Sequence, residues 1–140
     1  MRAYEHYHLV GFEETNLTGN VYFVNHLRWQ GRVREMFLSE HAPSILQQLS
    51  DGLAMVTTRC SCEYLGELNA LDRIRIRMRL GAMTQNRVTM TFEYWRCLPE
   101  GDQLAAKGEQ QIACMKRSET GLSPTPIPAA LRRALELFAQ

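Results

Sequence analysis

Long hydrophobic runs are missing from this chain. Nothing among its 140 residues approaches the ~20 consecutive apolar side chains of a membrane-spanning helix, and its first residues, MRAYEH, hold no apolar segment of signal-peptide length. A cytoplasmic protein without a membrane partner is the expectation. Net charge is equally scarce: sixteen Lys and Arg stand against fifteen Asp and Glu, a formal charge of +1. No global field then draws the chain to nucleic acid, for which it also carries no recognition motif, and charge recognition has to be local. Cys60, Cys62, Cys97 and Cys114 fall at no C-x-x-C spacing, so they read as reduced packing residues rather than a zinc frame. His6 and His8 share a strand face, but no third ligand follows them, and neither a metal nor a cofactor is expected.

What the chain does have is apolar residues, 45% of the total, enough to bury one core, and a single domain over residues 1–140 is expected. Residues 3–12, rich in Tyr, His, Val and Phe, read as a strand ending in the turn NLTG, Asn16 to Gly19. A helix follows over 26–40. At 100° per residue, Leu27, Trp29, Val33, Met36, Phe37 and Leu38 fill one broad arc opposite Arg28, Arg32, Glu35 and Ser39. His26 and Arg34 fall inside that arc as polar groups aimed inward, and Gly31 marks a close packing contact, since glycine inside a helix costs about 1 kcal/mol relative to Ala.

After a polar connection through Pro43 and Asp51, the period becomes two. Even positions from Ala54 through Val56, Cys60, Cys62 and Tyr64 are mostly apolar; Ile74, Ile76, Met78 and Leu80 alternate with arginines at 73, 75, 77 and 79. Val88, Met90, Phe92 and Tyr94 make a third strand. A Gly101-Asp102 turn leads into a fourth, with Leu104, Ala106, Gly108, Ile112 and Cys114 on its buried face. Pro124, Pro126 and Pro128 form a stiff connector to a short C-terminal helix at about 128–139. One strand, one broad apolar helix and four antiparallel strands give an α+β fold, an antiparallel curved sheet wrapped around one long central helix.

The segment GFEETNLTGNVYFVNHLRWQGRVREMF, residues 11–37, resembles the hotdog-fold thioesterases of the 4-hydroxybenzoyl-CoA thioesterase-like superfamily, whose signature runs F-x-D-T-D-x-x-G-H-V-Y ahead of the long helix. Phe12, Glu14, Thr15, Gly19, Val21 and Tyr22 match it; Asn16 stands at the catalytic aspartate position and Asn20 at the usual histidine. With the string NVYFVNHLRWQGR, nearly the whole chain is similar to the thioesterases of enediyne polyketide biosynthesis. The resemblance implies hydrolysis of a long polyene β-keto or β-hydroxy acyl thioester on the acyl carrier domain of an iterative polyketide synthase. No acidic catalytic residue takes part, and the released acid can then decarboxylate. It makes Asn16 and Arg34 the catalytic positions, with His26, Tyr22, Phe23, Val24 and Gly31 lining the substrate. It also implies a homo-oligomer, a dimer of dimers, with sites between subunits.

Elementary chemistry agrees with part of this. An asparagine amide is neither base nor nucleophile, so Asn16 acts by hydrogen bonding, while a guanidinium in an apolar arc favours the oxyanion of a thioester carbonyl. Backbone N–H groups at Phe23 and Val24 can add to that site if they open the helix. Plainer readings compete. Arg34 can pair with Glu13 or Glu14, Asn16 can form an Asx-turn, and His26 can be a packing residue or a general base. The arginine row can be a solvated face balanced by Glu63 or Glu93, or Arg73, Arg75 and Arg77 can dock an acidic carrier domain or coenzyme A phosphates. Rival functions are a general acyl-CoA thioesterase and a non-catalytic acyl-binding hotdog module.

Overall fold

The computed structural model describes residues 2–139; Met1 and Gln140, the ends of the expected 1–140 domain, lie outside the described residues. Strand β1 (Tyr4–Leu9) runs into a 3₁₀ turn at Phe12–Glu14 and a loop, and the long helix α1 (Val24–His41) follows. A second helix, α2 (Pro43–Ser50), occupies the stretch expected to be a polar connection. Pro43 sets its first turn and Ile45, fully buried, anchors it, which a two-turn segment rich in Ser and Gln does not advertise.

Strands β2 (Leu53–Tyr64), β3 (Arg73–Met83), β4 (Arg87–Arg96), β5 (Gln103–Ser118) and β6 (Gly121–Pro124) complete one sheet. Its order is β1-β3-β4-β5-β2, every pair antiparallel, with β6 pairing the far end of β5. The sheet is therefore one short strand larger than expected, because pairing resumes after the turn at Gly121, whose φ of +121° suits glycine. The C-terminal helix α3 spans Ala129–Glu136, within the 128–139 window, with Pro128 as its N-cap residue.

α1 lies on the inner face of the sheet. Trp29, Val33 and Phe37 join Ile74, Ile76 and Met78 of β3, Val88, Met90 and Phe92 of β4, and Ile112 and Cys114 of β5 in one buried cluster. Phe138 closes one end of it against Tyr4, Phe37 and His41. β4, β3 as far as Leu80 and β5 from Ala106 onward keep the expected alternation; β3 slips register beyond Leu80, and an extra residue at Ala105 turns Leu104 to oppose Trp95 on the outer face. β2 does not: its register slips between Thr57 and Arg59, leaving Thr58 as an extra residue. Before the bulge the core-facing residues are Leu53 and Met55, and after it Cys62, so the even-position reading holds only beyond Thr58.

On the outer face three arginines of the row are neutralised within the chain. Arg75 pairs with Glu5 (3.8 Å) and Asp102 (2.9 Å), Arg77 with Glu5 (3.0 Å) and Glu93 (3.9 Å), and Arg79 with Glu93 (3.3 Å). Among the described residues β2 pairs only with β5, so its other edge, exposed from Thr57 to Ser61, is left open.

Candidate active site

The loop before α1 holds Asn16 in one orientation. Its Oδ1 accepts the Thr18 N–H (3.0 Å) and the Thr18 hydroxyl (2.8 Å), while its backbone N–H donates to the Asn20 carbonyl (2.9 Å). This is the Asx-turn reading, and it has a chemical consequence. With the oxygen held by Thr18, the Nδ2 amino group is the part of the side chain left to work, so Asn16 offers a hydrogen-bond donor. Gly19, at φ +93°, closes the turn.

Glu14, two residues earlier, is the loop's inward carboxylate, and it is fully engaged. Oε1 accepts from the His8 ring (2.7 Å) and the Gly11 N–H (2.9 Å), Oε2 from the Trp29 indole (2.7 Å). Burial acts to raise its pKa, but the Gly11, His8 and Trp29 donors outweigh it and hold the carboxyl below the ordinary value. The cluster borders an open cleft of about 740 Å³ between α1 and β1. Gly31 sits at that cleft, and among the described residues nothing lies within 4 Å of where its Cβ would be, so they do not supply the close contact expected there.

The other side of α1 faces β2 and β5 with a row of polar residues four apart. His26 is 3% exposed, its ring among those of Trp29, Tyr64 and Tyr94, and neither ring nitrogen has a hydrogen-bond partner among the described residues. Burial pushes its pKa down to about 4, and the Phe23 carbonyl, which also accepts the Tyr64 hydroxyl (2.7 Å), pulls the other way. His26 is thus neutral near pH 7, and its carbonyl accepts the Tyr94 hydroxyl (2.8 Å). Gln30, fully buried, donates from Nε2 to the Ser61 carbonyl (2.9 Å) over Gly108, where any Cβ would collide with that amide.

Arg34 completes the row, donating to Gln110 Oε1 (2.9 Å) and Thr57 Oγ1 (3.3 Å). The expected alternative, a pair with Glu13 or Glu14, is not formed, and no Arg34 ion pair occurs among the described residues. Burial lowers its pKa from the usual value against the opposing charge of Glu35, and a guanidinium so lowered still carries its proton. Gln30 and Gln110 escaped the sequence reading. The first occupies the step between His26 and Arg34; the second is a buried polar residue, 5% exposed, at an even position of β5 between Gly108 and Ile112. Tyr22, Phe23 and Val24 are exposed where the helix opens, Phe23 being its N-cap residue. Arg73, Arg75 and Arg77 lie on the opposite face of the sheet, away from this row.

The model of the thioesterase-like superfamily matches residues 10–135. The chain belongs to this family. Among solved structures, this thioesterase is 46% identical to the dynemicin thioesterase, whose crystal structures reveal induced-fit and allosteric effects upon polyene binding, over 99% of both chains at a TM-score of 0.96. It is 28% identical to the 1,4-dihydroxy-2-naphthoyl-CoA hydrolase of Thermosynechococcus vestitus over 91% of this chain and 87% of that one. The 1,4-dihydroxy-2-naphthoyl-CoA thioesterase of Synechocystis shares the fold, at 19% identity, a TM-score of 0.85 and 96% coverage of both chains. The expected hotdog architecture is therefore the observed one.

As a thioester hydrolase the chain combines a neutral amide donor, a positive guanidinium and an engaged carboxylate. Donors of the first two kinds stabilise negative charge growing on a carbonyl oxygen. A thiolate leaves readily without a general acid, having a conjugate-acid pKa near 8.5.

Proposed function

We propose that this thioesterase releases a long polyene acyl chain, β-keto or β-hydroxy, from the phosphopantetheine arm of an acyl carrier domain of an iterative enediyne polyketide synthase. Arg34 and Asn16 bind the oxyanion, no acid takes part, and the product is a free acid able to decarboxylate. One observation carries this reading: Arg34 forms no ion pair among the described residues and is held on the sheet-facing side of α1 by the neutral acceptors Gln110 and Thr57, while Glu14 is spent elsewhere. The 46% identity to a polyene-binding thioesterase supports the substrate class. His26, with Tyr22, Phe23, Val24 and Gly31, borders the acyl chain, and no cofactor enters the reaction.

The site is completed between two copies. Arg34 lies ten residues into a helix that opens at Val24, roughly 15 Å along its axis, whereas Asn16 precedes the helix. A second copy joined along the open edge of β2 brings the Asn16 of one chain toward the Arg34 of the other, and two such pairs would give the dimer of dimers. Carrier docking at Arg73, Arg75 and Arg77 fits less well, because Arg75 and Arg77 already hold carboxylates of their own chain.

The test is steady-state acid release from one long β-ketoacyl chain on a carrier domain and on coenzyme A, by wild type, Arg34→Ala, Asn16→Ala and Asn16→Asp. Carrier substrate is expected to be preferred, with Arg34→Ala losing at least tenfold. Asn16→Asp can accept both Thr18 bonds but has no amino group, so it should lose activity with Asn16→Ala; a gain would show a degenerate acid site instead. Equal rates on both carriers point to a general acyl-CoA thioesterase, and wild type inactive on either points to an acyl-binding module.

A further inference from the structure

Gln30 and His26 hold three buried polar atoms that the fold leaves unused. The Gln30 amide is oriented by its Nε2 bond to the Ser61 carbonyl, so Oε1 points elsewhere, and it finds no partner among the described residues; nor do Nδ1 and Nε2 of His26. Buried polar atoms without partners destabilise a fold, and residues that carry them usually have something else to bind. The local packing is arranged around this amide. Gly108 is the residue that admits it, and Tyr94, whose hydroxyl would lie 3.4 Å from a Gly108 Cβ, ties the same spot to the His26 carbonyl.

The inventory of donors and acceptors defines what fits. Gln30 Oε1 only accepts, whereas a neutral imidazole has one N–H donor and one acceptor nitrogen. The two side chains are four residues apart on one face of α1, their Cβ atoms ~5–6 Å from each other, so one small group can meet both. A hydroxyl suits the pair: it donates to Gln30 Oε1 and accepts from the imidazole N–H. An oxo group accepts only, leaving Oε1 unpaired, and a methylene pairs with neither. Arg34 stands one further turn along the same row, about 6 Å on, which places the subsite near the reacting end of the chain.

We propose that Gln30 and His26 form a hydroxyl-binding subsite that selects acyl chains bearing a hydroxyl close to the thioester over their oxo and deoxy counterparts. This rests on the thioesterase reading above and adds a preference for the β-hydroxy over the β-keto chain. Tyr64 covers the subsite. Trp29 and Tyr94 are buried around His26, but Tyr64 is 44% exposed, packs edge-on against the imidazole at 4.7 Å, and is anchored through its hydroxyl to the Phe23 carbonyl. Rotation of that one exposed ring opens the way to His26, and the hydrogen bonds then made to the substrate hydroxyl offset the one released.

The experiment compares three carrier-bound thioesters of equal length, 3-hydroxy, 3-oxo and unsubstituted, and reads the ratios of kcat/KM within each variant. Wild type should favour the hydroxy chain at least tenfold over both others. Gln30→Met, which keeps length and burial but removes the acceptor, should bring the ratios to within twofold of one whatever its absolute rate; His26→Phe reads the same ratio from the other wall should Gln30→Met fail to fold. Wild-type ratios near one, as expected if a water meets both side chains, or ratios unchanged in a folded variant, overturn the subsite while leaving the thioesterase standing. Absence of hydrolysis of all three by wild type overturns the proposed function, and the subsite with it.

Discussion

On the β1 side of α1 every polar group of Glu14 has a partner: three donors meet two carboxylate oxygens within 2.9 Å. On the β2 side, His26 and Gln30 bury atoms without hydrogen-bond partners among the described residues, and Arg34 forms no ion pair among them. Glu14 keeps 16% of its side chain exposed, while His26 and Gln30, at 3% and 0%, lie deeper and yet are less well paired, so burial alone does not separate structure from function. Satisfaction does. A saturated cluster stabilises the fold and has nothing left to offer a substrate, while an unsaturated row destabilises the fold and can bind what the chain lacks.

The largest expected effect tests the unsaturated side. Removing one oxyanion donor in comparable sites costs about 2.7–4 kcal/mol, so Arg34→Ala should lower kcat by two orders of magnitude or more. Its melting temperature should fall by a few degrees, because the buried Gln110 oxygen loses its donor. Arg34→Ala turning over at wild-type rates would put the charge in a structural role. His26 comes next. Its folded pKa of about 4 lies below the ordinary 6.5, so the unfolded chain takes up a proton that the folded chain refuses. The stability in question is complete above pH 6.5 and is lost as pH falls toward 4, on the order of 3 kcal/mol in all. Urea titrations should show that slope in wild type and its disappearance in His26→Phe; equal slopes would mean the imidazole is not sealed.

Glu14 supplies the counter-test on the saturated side. Glu14→Gln keeps the shape but weakens bonds made to a charge, a cost of roughly 2 kcal/mol, while chemistry should survive within about threefold at a temperature where the variant is folded. Its own pH window is lower than that of His26. A depressed carboxyl contributes stability above its ordinary 4.5 and loses it as pH falls through the folded value. A folded but inactive Glu14→Gln would make this carboxylate the missing catalytic acid and erase the contrast between the two sides.

Where the sequence carried one signal at a time, it was readable. β3 alternates Ile and Met with Arg because one face meets the core and the other water, and the structure keeps that phase as far as Leu80, beyond which the register shifts. β2 hides an inserted residue at Thr58, which inverts the faces of everything before it, and no composition signal marks a bulge that consists of one threonine among polar neighbours. The proposed site positions were singled out by the motif around Asn16 and by the inward phase of His26 and Arg34. Gln30 was not, although it falls between them at the same four-residue interval, because glutamine reads as a solvent residue until its neighbour Gly108 is seen to make room for it.

The smallest expected effect concerns Gly31, where the two sides of α1 meet solvent. The helix continues through it, and an added Cβ would touch nothing within 4 Å. Replacing a mid-helix glycine by alanine under those conditions stabilises by about 0.5–1 kcal/mol, chiefly by restricting the unfolded chain. Gly31→Ala should therefore raise the melting temperature by a few degrees in differential scanning calorimetry at any protein concentration. A lower melting temperature instead, with a changed dependence on concentration, would mean that a second copy packs its own atoms against that glycine, and that the close contact expected from the sequence is made between chains rather than within one.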